Sequence, residues 1–259
     1  RRSSDLFQMA VQSDYRYSLT VNGATQFEVV RFVLKEHLST LFRLELDLAS
    51  FGSEPNFHSL IDQPATLTFW QGDEVIRSVN GIVTALNQRE TGFTRTRYHM
   101  VIEPSLCRAG LQTDLRIFQQ QDSQKIIETL LSKNQVPQSQ FHLQTPYWTR
   151  EYCVQYRETD LNFIQRLAAE EGSYYYFEHT NDSHILHFSN STTLSEKKGN
   201  LVYNAMPAGQ RPEAAVWHWS YEEKLGTTLQ TLRDYTFTNP RYNQEHQYSG
   251  QGNNKGHGS

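Results

Sequence analysis

The 259-residue sequence predicts a mainly β fold with α insertions (α+β), on three observations. Apolar and polar residues alternate in run after run between residues 14 and 106, with turn-forming pairs between the runs. Helical spacing is confined to two short stretches, near 123–131 and 160–171. Hydrophobic residues make up only 37 % of the chain, while Gln, Ser, Thr, Asn and Tyr are plentiful, as suits strands with one polar face.

After an N-terminal extension, 1–13, the first expected strand carries Tyr15, Tyr17 and Leu19 on alternate positions and ends at the turn pair Asn22-Gly23. LFRLELDL (41–48) alternates through Phe42, Leu44, Leu46 and Leu48. ATLTFW (65–70), VIRSVNGIVTALN (75–87) and FTRTRYHMVIEP (93–104) follow, with Gly72-Asp73 and Thr91-Gly92 where hairpin turns belong. Five or six strands at this spacing make 14–106 a small barrel or sandwich rather than a βαβ sheet. Residues 107–150 change character and read as a helical connector. Asp122 or Ser123 caps a helix whose buried face is Ile126, Ile127, Leu130 and Leu131, and Pro137 and Pro146 bracket an irregular stretch. In 151–239 the chain EYCVQYRETDLNFIQRLAAEEGSYYYFEH (151–179) begins with a strand, 151–156, that places Tyr152, Val154 and Tyr156 on one face. Thr159 or Asp160 then caps a helix with Leu161, Ile164, Leu167 and Ala168 on one stripe, ended by Gly172. A hairpin follows, SYYYFEH and ILHFS (185–189) about Asn181-Asp182, and a second β-rich block with Trp217, Trp219 and Tyr221 in alternation. The last segment, 240–259, is too polar and glycine-rich to bury anything and is expected to be flexible.

Charge and motifs narrow the function. With 24 basic and 28 acidic residues and no basic stripe beyond Lys197-Lys198, nucleic acid is not an expected partner. No window approaches the roughly 18 apolar residues that span a bilayer, and the opening RRSSDLFQMAVQSD lacks the apolar core of a signal peptide. Two cysteines, Cys107 and Cys153, are too few for a disulfide framework and read as reduced, mostly buried thiols. The carboxylates Glu158, Asp160, Glu170 and Glu171 invite a general acid–base reading, but Asp160 is explained by capping and Glu170 and Glu171 by the outer side of a helix end. His184 and His187 stand at i and i+3, so they point to opposite faces of a strand, with His179 across the turn. That spacing argues against a metal site. Tyr174, Tyr175 and Tyr176 with Trp217 and Trp219 could stack on sugar rings, yet consecutive tyrosines alternate faces, and packing is the better use. Nucleophile motifs and phosphate loops are absent. The residues alone thus predict a β-rich structural or binding protein and not an enzyme. No catalytic, cofactor-binding or metal-binding residue is assigned.

One segment goes further. Tyr152, Gln155, Tyr156, Glu158, Thr159, Asp160 and Phe163, followed by Arg166, Leu167, Glu170, Glu171 and Gly172, resemble the Y-x-x-Q-Y-x-E-[ST]-D-x-x-F and R-L-x-E-E-G signature of the VgrG family, the spike proteins of type VI secretion systems. HLSTLFRLELDLAS (37–50), NGIVTALNQ, YHMVIEPSL, RIFQQQDSQKIIETLL and RDYTFTNP (233–240) are similar to further family segments, in order. Late control protein D and contractile phage tail hubs are related to that family. The resemblance implies a fold of two small β-barrels of phage tail hub type plus mixed connectors, with 14–106 as the first barrel and 151–239 holding the start of the second. It implies a homotrimeric ring that caps the hexameric Hcp tube and helps puncture target membranes and deliver effectors, with no cofactor. The chain is expected to stop before the neck and needle, so effectors and a PAAR-type tip protein would bind through regions it does not include. The implied location is the bacterial cytoplasm during assembly, then secretion or injection into a target cell without a signal peptide. A phage baseplate hub is the near alternative, and a carbohydrate-binding module using Trp217 and Trp219 is the alternative from another class.

Overall fold

The structure is a computed structural model that describes residues 15–51, 55–92, 95–194, 200, 202–203, 215–216, 218–223 and 226–250. It divides into two units, residues 1–197 and 198–259.

The first unit opens with a six-stranded antiparallel sheet in the order β1-β4-β5-β6-β3-β2. Its strands are β1 (Tyr15–Val21), β2 (Glu28–Lys35), β3 (Arg43–Ser50), β4 (Pro64–Gln71), β5 (Glu74–Thr91) and β6 (Thr96–Glu103), with one helical turn, α1 (Phe57–Leu60), between β3 and β4. The expected runs are present with shifted ends, and β2 is added. The Asn22-Gly23 turn forms, with φ of 49° and 76°. It does not make a hairpin of neighbouring strands, because β1 pairs with β4 and β2 with β3. Period-2 patterning sends Leu44, Leu46 and Leu48 of β3 inward, opposite Ile102, Met100 and Tyr98 of β6. With Leu19, Leu67 and Val79 they fill the hollow of the curled sheet. The edge strands β1 and β2 are joined by rings rather than by backbone: Tyr17, Phe32 and Phe69 contact one another edge-on, with centroids 5.1–5.3 Å apart. At Gly81 in β5 a Cβ would lie 2.6 Å from the Glu103 carbonyl oxygen, so only glycine lets β6 approach so closely.

The second half of this unit packs two helices against short sheets. After a 3₁₀ turn, Ser105–Gly110, come β7 (Thr113–Gln121), α2 (Ser123–Lys133), β8 (Ser139–His142), β9 (Arg150–Thr159), α3 (Asp160–Glu170), β10 (Tyr174–His179) and β11 (His184–Ser189). The stretch 107–150, read from sequence as a helical connector, therefore also carries two strands. β7 pairs antiparallel with β9 and β8 lies parallel to β11, partners too far along the chain for local patterning to show. Asp122 caps α2 by accepting from the Lys125 N–H (2.8 Å), and Thr159 caps α3 by accepting from the Asn162 N–H (3.1 Å). Gly172 ends α3 at φ 66°. Ile126, Ile127, Leu130 and Leu131 of α2 and Phe163, Ile164 and Leu167 of α3 meet Tyr175, Leu186 and Phe188 in a second core.

In the second unit β12 (Val202–Tyr203) lies parallel to β13 (Ala215–Val216), and β14 (Leu229–Asp234) pairs antiparallel with β15 (Gln244–Ser249). Gln244–Ser249 corrects the expected flexible segment after Pro240. A two-stranded ribbon needs backbone partners rather than apolar side chains, and the residues of β15 are largely exposed. Neither described pairing closes a second barrel; the curled sheet of the first unit is the barrel-like element. Trp217, residues 1–14 and residues 251–259 lie outside the described residues.

Candidate functional site

The signature segment 151–179 builds a polar frame around the second core. Asp160 is its node. Sequence reading leaves Thr159 or Asp160 as the cap; Thr159 caps, and the Asp160 side chain is only 2 % exposed. It accepts from Gln155 Nε2 and Asn134 Nδ2, each at 2.8 Å. Arg116 Nη1 stands 3.5 Å from one carboxylate oxygen and Lys133 Nζ 3.3 Å from the other. One carboxylate thus ties the C-terminal end of α2, β7 and β9 to the first turn of α3. A buried charge is tolerated only when it is paired and hydrogen-bonded in this way. Arg116 and Lys133 both also engage Asp114.

A second ring of charge runs along α3. Arg150 donates to Glu170 (2.7 Å), Glu171 (2.8 Å) and the Ser123 hydroxyl (3.0 Å). Arg166 donates to Glu158 (2.6 Å) and Glu170 (2.9 Å). Burial pushes the Glu170 carboxyl up, but Arg150 and Arg166 outweigh it and hold it below the usual carboxylate range. Glu171 does not face water as expected: its side chain is 13 % exposed and accepts from Ser123 at 2.6 Å. All four candidate carboxylates are engaged by cations, which is the opposite of the apolar, unpaired setting that a general acid requires.

The histidines fall into two groups, as i, i+3 spacing predicts. His187 is buried on the outer face of the β8–β10–β11 sheet, with Glu178 3.1 Å from Nε2 and His142 Nε2 2.9 Å from Nδ1. Tyr174 and Tyr176 stack on that face, and Tyr176 lies over His187 at 5.0 Å. Tyr175 points the other way, into the core. His179 and His184 stand side by side where β10 and β11 meet the six-stranded sheet. The Asn80 N–H donates to His179 Nδ1 (3.1 Å), and Asn80 Nδ2 donates to the carbonyls of Thr180 (2.7 Å) and Ser183 (2.9 Å). Asn80 Oδ1 accepts from the Thr66 hydroxyl at 2.8 Å. His184 lies against Phe42 and Phe177, and its Nε2 is 3.3 Å from the Ser105 hydroxyl. Burial, and then the neighbouring His179, push its pKa down to about 4. Asn80 is the buried polar joint that sequence reading missed. Its one visible signal was an asparagine inside an otherwise strand-like run.

A cleft of about 800 Å³ opens between β5, β6 and the end of α2, and Cys107 and Arg108 line it. Burial raises the Cys107 thiol to about 11, so it stays protonated and is a poor nucleophile. Arg43 and Arg108, also in this cleft, are engaged by Glu103 (3.1 Å) and Asp62 (2.8 Å). Among the described residues no His, Cys, Asp and Glu group has the makings of a metal site, and no helix is long and apolar enough to cross a membrane. What the frame does expose is one face of the β7–β9 ribbon: Leu115, Ile117, Tyr152 and Tyr156 are each more than half exposed, with Val154 between them. Cys153 and Gln155 take the buried side of that strand.

Comparison with known proteins places this architecture. The profile described as phage tail baseplate hub (GPD) matches residues 35–259. The chain belongs to that family. Its curated relatives include type VI secretion spike proteins: it is 37 % identical to VgrG2a of Pseudomonas aeruginosa over 243 residues, 93 % of this chain and 29 % of that one. It is also 37 % identical to VgrG3 of Vibrio cholerae over 202 residues, 78 % and 20 % of the two chains. The chain therefore spans less than a third of the length of these relatives. Among solved structures, the E. coli c3393 protein is described as a type VI secretion component similar to the T4 tail proteins gp27 and gp5. It matches with a TM-score of 0.64 and 23 % identity over 72 % of this chain and 52 % of that one. A tail protein of Neisseria meningitidis MC58 matches with a TM-score of 0.56 and 10 % identity over 92 % and 68 %. At these identities the two structures speak for the hub fold alone.

Proposed function

We propose that this chain is the hub segment of a type VI secretion spike, a non-enzymatic part that assembles as a homotrimer and seats on the hexameric Hcp tube. The observation that carries the reading is the identity to VgrG spike proteins along nearly the whole chain. The carboxylates and histidines of the signature segment support it, because they are spent on holding elements together. The exposed apolar residues Leu115, Ile117, Tyr152 and Tyr156 of the β7–β9 ribbon make the kind of surface that assembly covers. On this reading the protein is built in the bacterial cytoplasm and leaves with the spike, while effectors and a tip protein engage other parts of it. Light scattering tests the assembly. Carried in a polypeptide as long as the curated relatives, and mixed with an Hcp-type hexamer, the hub reading expects a trimer that binds the hexamer; a stable monomer or dimer refutes it.

A phage baseplate hub is the second reading, favoured by the family's own description. Binding to a phage tail tube protein in preference to an Hcp-type hexamer decides for it.

A further inference from the structure

The sequence holds two Asn-Gly dipeptides, Asn22-Gly23 and Asn80-Gly81, and the fold puts them in opposite environments. Asn22 and Gly23 are the two exposed central residues of a tight turn closed by Val21 N–H to Ala24 O (2.9 Å) and Ala24 N–H to Val21 O (3.0 Å). Asn22 spends its backbone N–H on Pro64 O at 2.8 Å. Neither its carboxamide nor the Gly23 N–H has a hydrogen-bond partner among the described residues. Around Gly23 there is open space: a Cβ there would meet nothing within 4 Å.

From this contrast we infer that Asn22 is a self-modification site, losing ammonia to become aspartate or isoaspartate while Asn80 stays intact. The Gly23 amide nitrogen gives up its proton and attacks Asn22 Cγ. A C–N bond forms, the Cγ–Nδ2 bond breaks, and Nδ2 leaves as ammonia with the displaced proton. Water then opens the five-membered imide at either carbonyl, giving a carboxylate and, in the isoaspartyl product, a backbone lengthened by one carbon. Nothing is oxidised or reduced, and water is the only co-reactant. The step needs a glycine that leaves the amide uncovered and a carboxamide free to swing onto it. Asn80 lacks both freedoms. Its Nδ2 is held by Thr180 O and Ser183 O and its Oδ1 by Thr66. Gly81 is pressed against β6 so closely that a Cβ would stand 2.6 Å from Glu103 O.

Modification puts a negative charge at the rim of the curled sheet, where β1 ends. The test is to age the purified native chain in ¹⁸O-water at mildly alkaline pH and map its peptides by mass. The Asn22 peptide is expected to take up label and yield isoaspartate at least about tenfold faster than the Asn80 peptide. In urea the two sites are expected to convert at similar rates, because the dipeptide is the same. Equal native rates, faster reaction at Asn80, or no conversion at Asn22 on the timescale of the unfolded chain each overturn the inference. Asn22→Gln, which cannot close the five-membered ring, is expected to abolish labelling in that peptide.

Discussion

Replacing Asp160 with asparagine keeps the shape of the side chain and removes its charge, so it weighs the node against the cap. In the wild type each carboxylate oxygen accepts a 2.8 Å amide hydrogen bond, and a cation stands within 3.5 Å of each. Asparagine supplies one acceptor and one NH₂ group, so either Gln155 Nε2 or Asn134 Nδ2 faces a donor instead of an acceptor. Losing a hydrogen bond to a charged group costs roughly 1.5–3 kcal/mol, and stranding a buried donor roughly 1–3 more. Arg116 and Lys133 retain Asp114, which keeps the sum near the lower end. Asp160→Asn should therefore cost about 3 kcal/mol, against about 1 kcal/mol for removing the true cap with Thr159→Ala. Urea unfolding followed by tryptophan fluorescence, with the m-value unchanged, measures both. If Asp160→Asn costs no more than Thr159→Ala, the node is an ordinary helix-end charge and the reasoning fails.

Four further outcomes follow from the same structure. Leu167→Ala empties a fully buried position in α3 and should cost about 3 kcal/mol, whereas Glu170→Gln at its half-exposed ion pairs should cost less than about 1; equal losses would contradict the packing. Because His184 is held neutral with its pKa near 4, the native state binds fewer protons than the unfolded chain from the ordinary histidine value down to there. Stability is accordingly full above about pH 6.5 and drops by roughly 3 kcal/mol as pH falls to about 4; His184→Phe should flatten this slope, and an unchanged slope sinks the assignment. Asn80→Ala takes its amide donor from the Thr180 and Ser183 carbonyls, of which Ser183 keeps the Thr180 N–H and hydroxyl, and should open that turn to protease; a cutting pattern like the wild type's would count against the joint. Dialysis against a chelator should leave the unfolding midpoint where it was, and a fall in that midpoint would reveal a structural metal.

Residues whose partners lie within a turn or a strand's length were legible in the sequence. Both helices, their caps and Gly172 follow from positions a few residues apart, and Leu44, Leu46 and Leu48 reveal their face by period alone. Non-local pairing was not legible. β7 was missed because its outward Leu115 and Ile117 and inward Arg116 invert the usual pattern, and its partner strand β9 is reached only after α2 and β8. The burial of Asp160 depends on residues 116, 133, 134 and 155 converging on it, and no spacing rule brings those together. Asn80 hid for the same reason, since its partners are about a hundred residues away.

That last residue has a mechanical consequence. Three hydrogen bonds from Asn80, to His179, Thr180 and Ser183, cross from the six-stranded sheet to a single turn. A force pulling the β10–β11 turn away from β5 loads all three in parallel, as when strands are sheared, rather than one after another, as when a hairpin is unzipped. Bonds loaded together share the strain and fail together. The joint therefore behaves as a clip: stiff under small loads, and released in one event when the threshold is passed.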